Sequence, residues 1–359
     1  MSPSDSEDDR SDPLTPISSL GIDGELFHGD VSERYASWPT PTVIVSDGAY
    51  GTGGFPGDPS SPSELAEWYA PHVRAWSEAA TLGTTLWIWN TELGWAKLHP
   101  LIEESGWAYR GCNTWDKGFS HIAGNSNTET MRKFPQVTEV CVQYVRDRVE
   151  LADGSKPLRE WMRDEWDRAG LSLSEADAAC DVTDAASRKY FGTDEQWYCP
   201  PPKMFDRLAE YANEHGDPGG RPYFSPPAQG GGEDTDDVGR LGTNRATFDL
   251  QPGVTNVWHV PQLSGDERRE FDGEALHLNQ KPMELMERII RASSAPEDVV
   301  WDPFSGTGTA AVAAKRLGRV PFAAEKVSRY HSVARNRIAD AAVSSAEATT
   351  EQSSLTKNW

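Results

Sequence analysis

Short apolar runs alternate along much of the chain with longer segments in which apolar positions recur at helical spacing. In the first half, the runs predict buried strands at 42–45, 84–89, 107–115 and 137–145. Helical spacing predicts helices at about 63–80 and at 92–104. Further strands are predicted at 256–260, 299–301 and 320–324. Strands that alternate with helices indicate a doubly wound α/β sheet of largely parallel strands.

Compact helices replace this pattern between Leu158 and Gly216. They are predicted at 158–169, 174–180 and 184–191. The break at Asp181-Val182-Thr183 gives the last two helices the spacing of a helix-turn-helix. The interval 216–253 is rich in glycine, proline and aspartate, and is expected to form a long irregular loop.

The charge of the chain is strongly acidic, with 34 basic against 56 acidic residues and a net charge of −22. Nucleic-acid binders usually carry a basic excess. At about 1 M salt, however, the Debye length falls to about 3 Å, and long-range repulsion from a duplex largely vanishes. The acidic residues are spread along the chain, which favours a halophilic protein in a salt-accumulating cytoplasm. Composition alone equally fits an ordinary acidic enzyme that does not touch DNA.

The sequence indicates neither a membrane segment nor a disulfide or zinc site. A run of about 18 apolar residues is missing, and the N-terminus lacks a signal pattern, so a soluble cytoplasmic protein without membrane partners is expected. The four cysteines are scattered without a Cys-x-x-Cys pair, and neither zinc nor a disulfide is predicted.

The segment Asp302-Pro303-Phe304-Ser305-Gly306-Thr307-Gly308-Thr309 lies between a predicted strand and a helical run. A strand that leads through a glycine-rich turn into a helix is where α/β folds hold adenosine-bearing cofactors. A triphosphate-binding loop would carry Lys-Ser or Lys-Thr after Gly308, and here Thr309-Ala310 follow. The acidic start without a lysine suits a cationic cofactor that carries no phosphate, which indicates S-adenosylmethionine.

Residues 277–338 resemble the β class of DNA amino-methyltransferases, the N4-cytosine and N6-adenine enzymes. The resemblance rests on four segments in the family's order, which are His277-Leu278-Asn279-Gln280-Lys281-Pro282, Asp302 to Thr309, Leu317-Gly318-Arg319 and Glu325 with Tyr330. It implies a Rossmann-like methyltransferase sheet with an inserted helical target-recognition region. It also implies S-adenosylmethionine as the cofactor and double-stranded DNA as the partner, with a cognate restriction endonuclease as a possible second partner.

The resemblance also implies which residues hold the cofactor. They are Asp302, Phe304, Gly306, Gly308, Thr309, Glu325 and Lys281. Glu325, at a strand end, is expected to accept the ribose hydroxyls. Phe304 would contact the edge of the adenine or of the target base, or would simply pack under the sheet. Lys281, with His277, would order the turn beside the methionine end, or form a cap or salt bridge.

The family's catalytic tetrapeptide, Asp/Asn/Ser-Pro-Pro-aromatic, is matched by Asp47-Gly48-Ala49-Tyr50, in which both prolines are missing. An exocyclic base amine is a poor nucleophile, and acceptors aimed at its two hydrogens favour an attacking geometry. Asp47 and the Gly48 carbonyl would be these acceptors, and Tyr50 would stack on a flipped base. Asp-Gly is also a common turn pair. A rival tetrapeptide, Ser225-Pro226-Pro227-Ala228, lacks the aromatic residue.

The target base follows less directly. Methylation at cytosine C5 needs a cysteine after a proline, and Cys199 instead precedes one. Within the family, serine at the first catalytic position often marks cytosine N4 and aspartate often marks adenine N6. Because Ser46 adjoins Asp47, we favour cytosine N4, with adenine N6 as the alternative. The missing prolines and the helix-turn-helix leave open a DNA-binding regulator with impaired catalysis.

We therefore expect five regions: an unstructured acidic N-terminus at 1–20, a catalytic half at 21–150, a helical insertion and loop for target recognition at 151–253, a cofactor-binding half at 254–343, and a flexible tail at 344–359. In the second helix of the helix-turn-helix, Arg188 and Lys189 are expected to contact DNA phosphates or base edges, unless they are solvated charges of a packing insertion.

Overall fold

The computed structural model describes residues 14–19, 22–55, 57–118, 132–151, 154–193, 197, 199–225, 248–249, 251–263, 270–271, 274–275 and 280–342. His277, the Pro226-Pro227-Ala228 part of the rival tetrapeptide, most of the loop at 216–253 and the tail at 344–359 lie outside these residues. No helix in the described ranges is long and apolar enough to cross a bilayer.

The described strands are β1 (Leu14–Ser19), β2 (Ile22–His28), β3 (Val43–Ser46), β4 (Thr85–Asn90), β5 (Trp107–Asp116), β6 (Thr138–Arg146), β7 (Arg148–Leu151), β8 (Gly154–Pro157), β9 (Val257–His259), β10 (Glu270–Phe271), β11 (Glu274–Ala275), β12 (Val299–Asp302) and β13 (Val320–Glu325). The described α-helices are α1 (Leu65–Ala79), α2 (Glu92–Glu104), α3 (Leu158–Arg168), α4 (Leu173–Cys180), α5 (Ala185–Tyr190), α6 (Pro202–His215), α7 (Met283–Ser293), α8 (Thr309–Arg316) and α9 (Ser328–Asp340).

Nine of these strands form one sheet in the order β1-β2-β13-β12-β3-β4-β6-β5-β9. The neighbours from β2 to β4 pair in parallel, as do β5 and β9. Strand β6 runs antiparallel between β4 and β5, and β1 runs antiparallel along β2. The predicted doubly wound α/β sheet is therefore confirmed, with β6 as an antiparallel insertion.

Both faces of the central strands are buried, which explains why these strands appear in the sequence as continuous apolar runs. Along β3, Ile44 packs into a cluster with α1 and α2, whereas Val43 and Val45 pack into a cluster with α7 and α8. Successive side chains of a strand point to opposite faces, so the sheet separates two helical layers.

The helical insertion has a hydrophobic core of its own, to which β7, α3, α4, α5 and α6 contribute. Leu82, just before β4, also packs against this core. Asp177 in α4 fixes the start of α5, because its Oδ1 accepts hydrogen bonds from the backbone nitrogens of Ala186 (2.9 Å) and Ser187 (3.0 Å). The predicted pair of helices, α4 and α5, is present, although α5 has only 6 residues.

The structure corrects two predicted boundaries. The expectation of an unstructured chain through residue 20 is wrong for Leu14–Ser19, which pairs with β2 from Leu14↔Phe27 to Ser19↔Ile22. Pairing at a sheet edge uses backbone groups, so a Ser- and Pro-rich composition does not exclude it. The insertion also begins before residue 151, because the β7–β8 hairpin at Arg148–Pro157 packs with α3.

Candidate active site

The sheet brings distant parts of the chain together at the carboxyl ends of its parallel strands. Asp47 follows β3, Asp302 ends β12 and Glu325 ends β13. Open α/β sheets bind ligands at this edge. A cleft here is lined by Asp47, Gly48, Phe304, Gly306 and Glu325, among others. Five of the residues predicted for catalysis or cofactor binding thus share one cleft.

The glycine-rich turn between β12 and α8 depends on left-handed backbone geometry. Gly306 has a φ of 55° and Gly308 a φ of 80°, values that favour glycine. A Cβ on Gly308 would also lie 3.0 Å from the Cβ of Ala334, so α9 packs directly against the turn. The buried Asp302 accepts a hydrogen bond from the backbone nitrogen of Ala311 (3.2 Å), and burial raises its pKa to about 7.

Glu325 fastens the same turn to the end of β13. Its Oε2 accepts a hydrogen bond from the backbone nitrogen of Gly306 (2.8 Å), and its Oε1 accepts one from Val327 (2.7 Å). Burial raises the pKa of Glu325 to about 6, although these hydrogen bonds oppose the shift. The carboxylate lies on the cleft wall, and its contact with a ribose stays a prediction.

Phe304 packs on the first helix and faces the cleft as well. Its ring lies 5.1 Å from the ring of Trp68 and 5.0 Å from that of His72, both in α1. Burial lowers the pKa of His72 to about 4, so its imidazole is neutral near pH 7. The packing expected for Phe304 is present, and its contact with a ligand stays a prediction.

A smaller cavity adjoins the cleft, and its lining includes Asp47, Gln280, Lys281, Asp302 and Thr309. Arg337 of α9 donates to the hydroxyl of Thr309 (3.2 Å), so that side chain also ties α8 to α9. The Oε1 of Gln280 is buried without a hydrogen-bond partner among the described residues. Because buried polar groups are rarely left unpaired, this atom is suited to accept a hydrogen bond from water or a ligand in the cavity.

The turn after β3 is rigid without the prolines of the family pattern. The carbonyl oxygen of Ala49 accepts hydrogen bonds from Asn90 Nδ2 (2.9 Å) and from the Tyr69 hydroxyl (3.3 Å). A Cβ on Gly48 would lie 2.6 Å from the Phe304 ring, so this position has no room for a side chain. Hydrogen bonds and close packing therefore supply the rigidity that prolines would give.

Asp47 is held through one of its two carboxylate oxygens. Its Oδ1 accepts hydrogen bonds from Lys281 Nζ (2.8 Å) and the Tyr50 hydroxyl (2.9 Å). Its Oδ2 accepts no hydrogen bond from the residues that the structure describes, and the side chain keeps 21% exposure. One oxygen of Asp47 is thus fixed, and the other is available to a ligand in the cleft.

A second carboxylate, Glu139 at the start of β6, belongs to the same network. Its Oε2 lies 3.1 Å from the Tyr50 hydroxyl, whose single hydrogen is shared between Glu139 and Asp47, and 3.3 Å from Lys281 Nζ. Its Oε1 pairs with Lys117. Burial opposes the ionisation of Glu139, but the charges of Lys281 and Lys117 hold its pKa below the usual value. We name the group of Asp47, Tyr50, Lys117, Glu139 and Lys281 the charge network.

Lys281 and Tyr50 respond to the two carboxylates of the charge network. Burial alone would lower the pKa of Lys281, yet the charges of Asp47 and Glu139 hold it above the usual value. Burial and the same two charges raise the pKa of Tyr50 well above its usual value. At neutral pH the network therefore contains a charged lysine and a neutral phenol. The Tyr50 hydroxyl is bound within it, and stacking of its ring on a base stays a prediction.

Sequence reasoning did not single out Glu139. The available signal was a lone carboxylate beside the apolar run Val140-Cys141-Val142, with a lysine directly after β5. Lys281, predicted to lie beside the cofactor, lines the small cavity and also binds Asp47.

Arg188 and Lys189 are exposed on α5. The core of this helical insertion packs against Leu82, near the paired ends Thr85 and Val145 of β4 and β6. Asp47 lies at the other end of these strands. Among the described residues, no group of three or more His, Cys, Asp and Glu side chains could hold a metal ion.

Comparison with known proteins gives matches to DNA methylases. A family model described as DNA methylase (N6_N4_Mtase) matches residues 42–336. Type II methyltransferase M.HinfI of Haemophilus influenzae is 42% identical over 84 residues, which are 23% of this chain and 23% of that protein. Type II methyltransferase M1.MboII of Moraxella bovis is 47% identical over 66 residues, 18% of this chain and 25% of that protein. The matches thus span about a quarter of each relative.

Solved structures also resemble the chain. PvuII DNA methyltransferase, described as cytosine-N4-specific, is 13% identical with a TM-score of 0.49, and the match covers 92% of each chain. The complex of M1.HpyAVI with SAM is 17% identical with a TM-score of 0.45, and the match covers 87% of this chain and 98% of that one.

Proposed function

Since this chain belongs to the N6_N4_Mtase family of DNA methylases, we propose that it transfers a methyl group from S-adenosylmethionine to an exocyclic base amine in DNA. The observation that carries this proposal is the free Oδ2 of Asp47 in the cleft that also contains the glycine-rich turn. The cleft thus contains both an acceptor for the amine and a turn suited to an adenosine cofactor.

The residues of this edge fit the cofactor. Glu325 would accept ribose hydroxyls, Gly306 and Gly308 would let the backbone approach, and Phe304 would contact the adenine. The unpaired Oε1 of Gln280 would accept a hydrogen bond at the methionine end. When bound, the cofactor supplies an electrophilic methyl group on a cationic sulfur.

The residues after β3 would activate and place the amine. The Asp47 Oδ2 and the Gly48 carbonyl would each accept one amine hydrogen, which favours a pyramidal nitrogen whose lone pair faces the methyl group. The ring of Tyr50 would hold the flipped base. Position and approach supply most of the rate in such a transfer. The proton released after transfer would leave through Asp47 Oδ2 or solvent.

The target base is proposed from the first catalytic position, where, within the family, serine often marks cytosine N4 and aspartate often marks adenine N6. Ser46 is fully buried in β3, whereas Asp47 lines the cleft. This placement favours Asp47 over Ser46 as the first catalytic residue. We therefore propose adenine N6 as the target, with cytosine N4 as the second candidate. Incubation with S-adenosylmethionine and unmethylated duplex DNA, followed by nucleoside mass spectrometry, distinguishes N6-methyladenine from N4-methylcytosine.

The biological setting is proposed from relatives that match about a fifth of this chain. Two relatives are named as type II methyltransferases, which supports a site-specific enzyme with a cognate restriction endonuclease. The net charge of −22 supports function in concentrated salt, so activity on DNA is expected to need molar KCl. If the protein bound DNA in molar KCl without methylating it, the regulator with impaired catalysis would replace the enzyme.

A further inference from the structure

The charge network contains one carboxylate that faces the cleft and one that does not. Asp47 lines the cleft, and Glu139 lies behind it with a side-chain exposure of 8%. Lys281, with a side-chain exposure of 1%, lies between the two carboxylates and pairs with both. The Tyr50 hydroxyl also lies within hydrogen-bond distance of both.

We propose that Glu139 is a positioning residue for methyl transfer, which holds Lys281 and Tyr50 so that both bind Oδ1 of Asp47 and leave Oδ2 for the amine. This inference rests on the proposed function and deepens it. Glu139 is not among the residues that line the cleft or the small cavity, so its proposed effect on the reaction passes through Asp47.

The balance of buried charge explains why a second carboxylate is needed. Asp47 and Glu139 provide two negative charges, and Lys117 and Lys281 provide two positive charges, so the network is neutral. A buried ion without its partner is costly, and its surroundings rearrange or its proton is lost. Without Glu139, Lys281 would have Asp47 as its remaining carboxylate and could bind across both of its oxygens. The acceptor for the amine would then be occupied.

Lys117 fixes Glu139 from the other side. It follows β5, its backbone nitrogen donates to the carbonyl oxygen of Val137 (2.9 Å), and its ammonium pairs with Oε1 of Glu139. Each oxygen of Glu139 thus has its own cation, and Oε2 is oriented toward Lys281 and Tyr50. Two cations on one carboxylate restrict its rotation, which transmits a fixed geometry to Asp47.

The test compares Glu139→Gln with the wild-type protein on PCR-amplified duplex DNA in molar KCl. The amide keeps the size of the side chain but removes its charge. Asp116→Asn is the matched control, because Asp116 lies on the adjacent strand end, pairs with His259 and is outside the network. We expect Glu139→Gln to lower kcat on the order of 100-fold, as for loss of a preorganised electrostatic contact. The KM for DNA and the affinity for S-adenosylmethionine should change less than about twofold, the pattern of a transition-state effect.

The pH profile separates positioning from simple structural support. The titratable groups around Lys281 are Asp47, Tyr50, Glu139, Cys141 and Asp302. Removing the charge of Glu139 lowers the pKa of Lys281, so the alkaline limb of the kcat profile should move to lower pH. Glu139→Asp should restore part of kcat and of the profile. In single-turnover assays, the Asp47→Ala/Glu139→Gln double variant should be no slower than Asp47→Ala alone. The effects of two residues that act as a unit are not additive.

Three results would overturn the proposal: a wild-type kcat and pH profile in Glu139→Gln, an equal loss in Asp116→Asn, or a full additional loss on the Asp47→Ala background. If Glu139→Gln does not fold, Lys117→Met with Glu139→Gln removes one charge of each sign and must show the same loss of kcat. Wild-type protein that methylates no DNA would end the proposed function, whereas a defect confined to the Glu139 variants concerns positioning alone.

Discussion

Gly48 lies so close to Phe304 that a Cβ on the glycine would stand 2.6 Å from the ring and 2.7 Å from the Tyr69 hydroxyl. The contact joins the turn after β3 to the turn after β12, so the proposed catalytic and cofactor segments are packed against each other. A substitution that shifts one turn should therefore displace the other.

Gly48→Ala is expected to destabilise the protein by about 1–3 kcal/mol, as overpacking of a filled core does. The displaced Phe304 ring should also weaken cofactor binding. Denaturant unfolding and calorimetry check the two effects. Gly111→Ala is the control, because a Cβ there meets nothing within 4 Å. Equal stability of the two variants would contradict the close contact.

Gly306→Val should abolish binding of S-adenosylmethionine, because Gly306 has a φ of 55° and lines the cleft. A β-branched side chain strains this backbone and fills the space above the turn. The matched variant is Gly318→Ala, which has a φ of 74° outside the cleft and should lose stability but keep binding. Titration calorimetry in molar KCl measures both, and wild-type affinity in Gly306→Val would show that the cofactor binds elsewhere.

Asp47→Ala should reduce turnover on the order of 100-fold or more while cofactor binding stays near normal, because it removes an acceptor for the amine. Asp47→Asn keeps one oxygen and should retain more activity than the alanine variant. Rapid-quench methylation assays distinguish the two. Wild-type turnover in Asp47→Ala would move the catalytic centre, with Ser225-Pro226-Pro227 as the next candidate.

Affinity for S-adenosylmethionine should fall as pH drops through about 6, the pKa that burial gives Glu325. Above this pH the carboxylate is ionised and accepts hydrogen bonds strongly. Below it, the added proton removes part of that capacity. Because the pKa is raised in the folded protein, ionised Glu325 costs stability above pH 6, and this cost disappears as the pH falls. Glu325→Gln should weaken binding at neutral pH and flatten the dependence on pH. A flat wild-type profile between pH 5 and 7 would show that Glu325 does not bind the ribose.

Arg188→Ala with Lys189→Ala should weaken binding of all DNA sequences alike if the residues contact phosphates. If they contact base edges, the loss should be about 1–3 kcal/mol and confined to one position of the target. Binding measured across salt concentrations, together with sequencing of methylated sites, separates the two outcomes. Lys203→Ala in α6 is a control on the same module. If DNA affinity and the methylated sequence are both unchanged, the helical insertion has a structural role only. Its packing against Leu82, at the end of β4 far from Asp47, is compatible with that result.

The sequence predicted the central strands well because burial on both faces makes each strand a short apolar run. Strands β3 and β4 are fully buried, and α2 spans the predicted residues from Glu92 to Glu104. Strand β1 was missed because it forms by backbone hydrogen bonding to the edge of β2, which does not require a pattern of apolar side chains.

The charge network could not be predicted from local patterns. Lys281 binds Asp47 across 234 residues of chain, and Glu139 joins them only because β6 inserts beside β4. Neither the order of strands nor the register of β6 is encoded in the periodicity of one segment. Glu139 therefore looked like an ordinary polar residue at the start of a strand.

The burial of the charge network divides the electrostatics of this acidic protein into two parts. Ion pairs such as Lys156–Asp164 lie at the surface, and concentrated salt screens them over distances of about 3 Å. Lys281, at 1% side-chain exposure, has no comparable access to dissolved ions. Solvent salt can therefore screen the surface charges without reaching the buried ammonium of Lys281. The ion pairs of Lys281, which lie behind the cleft, are thus insulated from dissolved salt.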